Sequence, residues 1–410
     1  MVQVMKGVRI LEVAQFTFTP AAGAVLSDWG ADVIKIEHPL RGDAQRGMVL
    51  LQGLRVSETR NLLMHHPNRG KRSVGIDLSN NKGRELLYKI AATADVFLTN
   101  YLPAARKKFK IDVDDIRKYN PNIIYARGSA LGDKGPEREN GGFDSTAFWA
   151  RGGSAMLVSP KELKLPLSQP GPAYGDTIGG MNIAGGIAAA LFHRANTGEA
   201  IELDVSLLST GIWATACSVD ICLDTNQVPF GGRMPKSGAG GPGNPFTGVF
   251  ETSDGRAIML SIITPGAYIR DTFSHLGLGH MADDPRFATD LALMQNAEEA
   301  RAEIVKVFAG KTFAEWLECL KTMRGQWAPF QDTLEVGSDR QVLANDMIFE
   351  VEDAGGGPPI KLVASPVQFN HEPITNSRAP EASEHTEQFL IELGIEWAEI
   401  ENLKSIGAIA

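Results

Sequence analysis

The chain has 410 residues, 43% of them hydrophobic and 22% charged, which at roughly 150 residues per domain means two or three domains and ample length for a large core. A net charge of −9 excludes a broad electrostatic footprint for DNA or RNA, so an anionic ligand has only local basic clusters to bind, at Arg69 to Arg72 and Arg106 to Lys110. Three cysteines with no zinc spacing and no Cys–His pair exclude a disulfide framework and a metal centre, and with no signal core and no apolar run of about 18 residues the expectation is a cytoplasmic protein without metal, membrane or nucleic-acid partners.

The first third alternates strand and helix patterns. Strands are expected at Val8 to Val13, Ala31 to Glu37, Ser73 to Leu78, Asp95 to Thr99 and Asn122 to Arg127. Helices are expected at Pro20 to Trp29, with Pro in the first turn, and at Gly83 to Thr93, with two short ones before the last strand. This alternation implies a largely parallel sheet covered by helices. A Gly-rich, charged loop follows from Gly128 to Gly142, then helices at Asp144 to Ala150, at Thr177 to Asn196 closed by Gly198, and from Val205 to about Thr225. From Asn226 the composition shifts to a Gly/Pro segment that reads as a linker or mobile loop. Beyond it, Gly248 to Ser261 reads as a hairpin with an Asp-Gly turn, and helices run to about Arg324. The tail has short strands at Phe349 to Val351 and Ile360 to Val363 and a helix at Thr386 to Leu393. No solenoid repeat is present. The expected fold is α/β: a large domain over residues 1–225, a small domain inserted over 226–335, and a return of 336–410 to the large domain.

The chemistry is not that of a nicotinamide or flavin enzyme. The turn after the first strand reads AQFTFTPAAG, with Phe16, Phe18 and Thr19 where a dinucleotide fold needs glycines, so NAD is not expected. No P-loop, HExxH or GxSxG occurs either. Chemistry by a carboxylate stays open.

Five segments, in order along nearly the whole chain, resemble the family III CoA-transferases, which include formyl-CoA transferase, the carnitine CoA-transferases and α-methylacyl-CoA racemase. They are GVRILEVAQFTFTPAAGAVLSDWGADVIKIEHPLRGD, NRGKRSVGIDL, DVFLTNYLP, YGDTIGGMNIAGGIAAALFHRANTGEAIELDVSLL and RAPEASEHTEQFLIELG. The resemblance implies a Rossmann-like large domain, an interlocked homodimer, and acyl-CoA and a carboxylic acid as substrates, with coenzyme A the group carried. It puts the catalytic aspartate on Asp176, in GDTIGG, and CoA contacts near Thr17 and Phe18, His38, Lys71 to Val74 (with Arg72 and Ser73 between), Asn100 and Lys108. A glycine-rich lid over the site falls on Ser237 to Gly243, including Gly238, Gly240 and Gly241. His38 stands where formyl-CoA transferase has arginine, Ala239 breaks the glycine run, and Leu131 to Glu139 differ, so oxalate and formate are not the expected substrates.

Each residue has a physical rationale and a plainer alternative. Asp176, read alone, is a helix N-cap; a helix N-terminus also favours the ionised carboxylate, the form that is nucleophilic. Gly175, Gly179 and Gly180 leave room for a ligand, and amides of Gly179, Gly180 or the 238–241 loop would serve an oxyanion. Lys71, Arg72, Arg106 and Lys108 suit the CoA phosphates; Phe18 or Tyr101 suits the adenine, or else the core. Racemisation needs two acid/base groups. The racemase relatives have Gly-His-Asp where this chain has Gly142-Phe143-Asp144, which disfavours racemisation but leaves the other isomerase reading, CoA migration within one diacid, open; Asp144 then orients the substrate or Asp176. A silent CoA-binding protein is the third reading. The run FDSTAFWARGGSAML suggests a larger or hydrophobic acyl group.

Overall fold

Short runs of branched apolar residues make the strands of a sheet covered on both faces. The computed structural model describes residues 2–51, 54–55, 60–240 and 243–410. Six strands, β1 (Arg9–Val13), β2 (Asp32–Glu37), β3 (Arg72–Gly75), β4 (Val96–Thr99), β5 (Ile124–Ser129) and β6 (Glu202–Ser206), pair in the order β3-β2-β1-β4-β5-β6, all parallel. The register puts Glu12 beside Lys35 and Val13 beside Thr99. This is the doubly wound order, and its switch point lies between the carboxyl ends of β1 and β4.

Side chains alternate across the sheet. Ile10, Val33, Leu98 and Ala126 face helix α1 (Phe18–Asp28) and the Tyr174–Thr197 helix. Leu11, Ile34, Phe97 and Tyr125 face the Asn81–Ala91 helix and Phe389, Leu390, Ile400 and Leu403 of the two C-terminal helices. The chain divides into two compact units, Met1–Gly232 with Arg340–Ala410, and Arg233–Asp339. The second unit has an antiparallel hairpin, Thr247–Glu251 and Ala257–Ser261, with Trp327–Pro329 added beside it. Its core is aromatic, built on Phe246, Phe250, Phe273, Phe308 and Trp316. Gly255 closes the hairpin turn with φ 74, which glycine adopts without strain.

Some expectations need correction. The expected helix from Val205 to Thr225 is a strand, Glu202–Ser206, followed by two helices, Leu207–Ala214 and Ala216–Thr225, bent by 74°. The strand is an edge strand whose two acids are exposed, and Glu202 and Asp204 both pair with Arg127 on the neighbouring strand. That pairing is not visible in the local pattern. A helix at Leu62–Asn68 interrupts the long loop. The Gly/Pro segment is partly paired, with Gly232 bridged to Pro160 and Ala239 to Val249. Among the described residues no single helix is long and apolar enough to cross a membrane, though the bent pair passes that test by length and composition.

Candidate active site

The turn after β1 is shaped by buried charge. Phe16 has φ 64, in the left-handed region, and its N–H donates to the Asp43 carboxylate at 3.1 Å. Asp43 also pairs with Lys35 at 2.9 Å. Burial works against the Lys35 ammonium, but Asp43, Glu12 and Glu37 outweigh it and hold it well above the ordinary lysine range. Asn100, just past β4, accepts from the Gln15 N–H at 3.0 Å and donates to the Gln15 carbonyl at 2.7 Å. The two strand ends are thereby pinned at the switch point.

Two clefts open there and share Phe16, Asn100, Tyr101 and Leu102. The first, of about 710 Å³, is flanked by His38, Arg41 and Lys108. Arg41 and Lys108 are exposed and form no salt bridge among the described residues, though Asp77, in the same cleft, lies near enough to Arg41 to feel its charge. His38 Nδ1 accepts from the Leu40 and Arg41 amides, which puts the neutral ring's proton on Nε2. The second cleft, of about 630 Å³, contains Phe18, Arg106, Phe143 and Asp176.

Asp176 is the third residue of the Tyr174–Thr197 helix. It is therefore not the N-cap; Ala173 takes that position, in the left-handed region at φ 56, and no side chain caps the helix. The Asp176 carboxylate is half-buried and accepts no hydrogen bond from the described residues. Burial, and then the charge of Asp144, push it up to about 7. The helix dipole acts the other way, favouring the anion. Asp144 is buried; it accepts from the Ser145 N–H at 2.8 Å and from Gln169 Nε2 at 3.1 Å. The first intrahelical bond runs from the Thr177 N–H to the Ala173 carbonyl. The amides of Tyr174, Gly175 and Asp176 precede it and are the free donors of this terminus.

The glycines of GDTIGG serve packing rather than ligand access. A β-carbon at Gly175 would lie 2.5 Å from Phe148 Cγ, one at Gly179 would fall on the edge of the Phe18 ring, and one at Gly180 would lie 2.6 Å from Ala21 Cβ. Gly179 and Gly180 are buried beyond the first turn, so their N–H groups belong to the helix ladder and cannot turn to an oxyanion.

The expected CoA contacts divide. Phe18, Asn100, Tyr101, His38 and Lys108 line the clefts, as does Arg106. Arg106 is already committed to Asp112, Asp133 and the Tyr101 carbonyl. Thr17 is buried and donates to Gln45. Lys71 corrects the sequence reading most sharply: its ammonium is buried against both Glu12 oxygens (2.7 and 2.8 Å), the Pro20 carbonyl and Asn68. All three of its protons are used, and burial brings it down to about 7 despite Glu12. Arg72 is held by Asp32 and Glu392 over the Phe389 ring. Ser73 donates to Glu37 at 2.8 Å, and Val74 is fully buried core. None of Thr17, Lys71, Arg72, Ser73 or Val74 lines either cleft: Thr17 is taken up by Gln45, and the run into β3 places the other four in the interior or against neighbouring elements. Sequence reading missed Arg41 and Phe16 as cleft residues. The available signal was their place in the loops after β2 and β1, at the carboxyl edge of the sheet.

The glycines expected to form a lid lie in the second unit. The Gly238 N–H donates to the Val249 carbonyl at 2.7 Å, and Arg301 holds the Gly238 carbonyl at 2.8 Å. Gly240 packs on the Thr247 carbonyl. Gly241 lies outside the described residues. His65 and His66 sit in the Leu62–Asn68 helix and line neither cleft; burial and Arg69 bring His66 down to about 4.

The clefts lie at the carboxyl edge of a doubly wound sheet, where such sheets take their ligands, with a carboxylate in one and exposed cations in the adjoining one. Residues 5–386 match the model of CoA-transferase family III, and the chain belongs to that family. It is similar to (R)-2-hydroxy-4-methylpentanoate CoA-transferase of Clostridioides difficile, 30% identical with 98% of each chain covered. It is also similar to cinnamoyl-CoA:phenyllactate CoA-transferase of Clostridium sporogenes, 28% identical with 97% of this chain and 95% of that one covered. Among solved structures, a CAIB/BAIF family protein from Brucella suis matches with a TM-score of 0.78 at 27% identity, covering 96% of this chain and 100% of that one. The protein is thus a CoA-transferase, with CoA thioesters as its substrates.

Proposed function

We propose that the protein moves CoA from an acyl-CoA donor to a carboxylic acid acceptor through covalent intermediates on Asp176. The observation that carries this is a carboxylate without hydrogen-bond partners among the described residues, at the N-terminal turn of a helix, in a cleft joined to a second cleft flanked by Arg41, Lys108 and His38.

The CoA phosphates belong in the first cleft, where charge-assisted bonds from Arg41 and Lys108 are unclaimed. Pantetheine then passes Asn100 and Phe16 and brings the thioester to Asp176. The Asp176 carboxylate attacks the thioester carbonyl; the C–S bond breaks, giving a mixed anhydride and CoA thiolate. The thiolate attacks the aspartyl carbonyl and expels the first carboxylate, leaving an aspartyl-CoA thioester. The acceptor carboxylate attacks that carbonyl, again releasing thiolate. The thiolate then takes the new acyl group and frees Asp176. One difficult exchange becomes four acyl transfers. Each tetrahedral oxyanion needs aimed donors, and the free amides of Tyr174, Gly175 and Asp176 are the nearest in sequence. The same reading includes a cytoplasmic homodimer: the Ala216–Thr225 helix buries no residue, and Trp213 and Leu223 are 75% and 76% exposed, an apolar face that a second copy would cover.

Hydroxylamine is the test of mechanism. Incubation with acyl-CoA and hydroxylamine should inactivate the enzyme and leave a hydroxamate on the Asp176 peptide, read by mass spectrometry. Full turnover by Asp176→Ala would refute the mechanism.

A further inference from the structure

We infer that the acyl group is an apolar monocarboxylate seated on a wall made by Phe143 and Phe16, and that acyl groups carrying a second carboxylate are poor substrates. The inference deepens the reading of Asp176 as the acyl acceptor and rests on it.

The wall is large, apolar and uncovered. Phe143 lies in the cleft that holds Asp176, yet it is 58% exposed. Its ring meets Phe16 edge to face, with centroids 5.5 Å apart at 84°. Leu102, beside them, is 41% exposed. A concave site with this much uncovered apolar surface gains affinity from a ligand that covers it.

The wall is also fixed in place. The left-handed backbone of Phe16 is held by Asp43 and by the Gln15–Asn100 pinch. Around Phe143, the N–H donates to Thr146 Oγ1, and that hydroxyl donates back to the Phe143 carbonyl. A rigid aromatic wall discriminates by shape as well as by polarity.

The charges in this cleft oppose an anionic acyl group. Its two arginines are engaged: Arg106 by Asp112 and Asp133, and Arg138 by Glu139 at 3.3 Å. Asp133 lines the cleft but is itself paired with Arg106 and Arg127; the uncompensated negative charge comes from buried Asp144, which lies close enough to raise Asp176. A second substrate carboxylate would meet the Asp144 and Asp176 side, with Arg106 already committed and only the exposed Arg138–Glu139 surface pair to offset it, and juxtaposed like charges are a basis for exclusion. The exposed Arg41 and Lys108 lie in the other cleft.

Two CoA thioesters of similar reach and opposite polarity test this: 3-phenylpropanoyl-CoA and succinyl-CoA, each with acetate as acceptor. The full-length enzyme should show a kcat/KM at least about tenfold higher for the phenylpropanoyl donor. Phe143→Ala should lower that ratio about tenfold, and Phe143→Leu should restore most of it. Equal or greater kcat/KM for succinyl-CoA overturns the inference, as does a ratio unchanged in Phe143→Ala. The hydroxylamine trap, run with both donors, separates the two levels. A hydroxamate on Asp176 with succinyl-CoA alone overturns the apolar assignment and leaves the nucleophile standing; none with either donor overturns both.

Discussion

Replacing Asp144 by Asn should move the acid limb of the pH–rate profile to lower pH. Asp176 stands at about 7 against an ordinary 3.8, a difference of about 3 pH units or about 4 kcal/mol. Burial is the larger cause and Asp144 the second, so removing the Asp144 charge recovers less than half of that. The expected drop is about 0.5 to 1.5 pH units. With a drop of one unit, the ionised fraction of Asp176 at pH 6 rises from about a tenth to about a half. The substitution keeps the side chain's shape; the one amide oxygen that remains keeps the bond from the Ser145 N–H or, in place of Asp144 Oδ2, accepts from Gln169 Nε2, which also holds the Gly171 carbonyl. The assay is kcat/KM against pH from 4.5 to 9, which reports the free enzyme. A limb that stays near 7, or moves up, would refute the argument that Asp144 raises the nucleophile.

The same shift has a consequence for stability. An acid whose folded value is raised costs stability as pH climbs through the window from 3.8 to about 7. Asp176→Asn should therefore raise the melting temperature at pH 8, and the gain should shrink as pH falls from 7 towards 4; a gain independent of pH would count against it. Arg41→Ala and Lys108→Ala should each raise KM for acyl-CoA by about tenfold, as loss of a charge-assisted phosphate bond implies, with kcat little changed; steady-state kinetics decide it. Lys71→Ala should instead destabilise the fold by about 1–3 kcal/mol, because it removes one of the two ammonium groups that hold buried Glu12 and leaves only Lys35, at 3.2 Å, to satisfy it among the described residues. Urea unfolding measures this, and a stable variant with only a raised KM would restore Lys71 as a CoA ligand.

The α/β alternation was legible because buried parallel strands are short apolar runs, and Val8 to Val13, Ala31 to Glu37 and Asp95 to Thr99 are such runs. The edge strand Glu202–Ser206 was not legible, since its place depends on Arg127 reaching across from β5. Resemblance over five segments marked Asp176, but the local pattern suggested only a cap. Composition and order of residues determined the family, the layered fold and the aspartate in its helix turn. Which cations face solvent in a cleft was decided by tertiary structure alone. Lys71 and Lys108 look alike in a sequence; one lies under β1 with three acceptor groups around it, the other is exposed at a cleft beside the Phe109 ring, and only the packing of strands distant along the chain makes that difference.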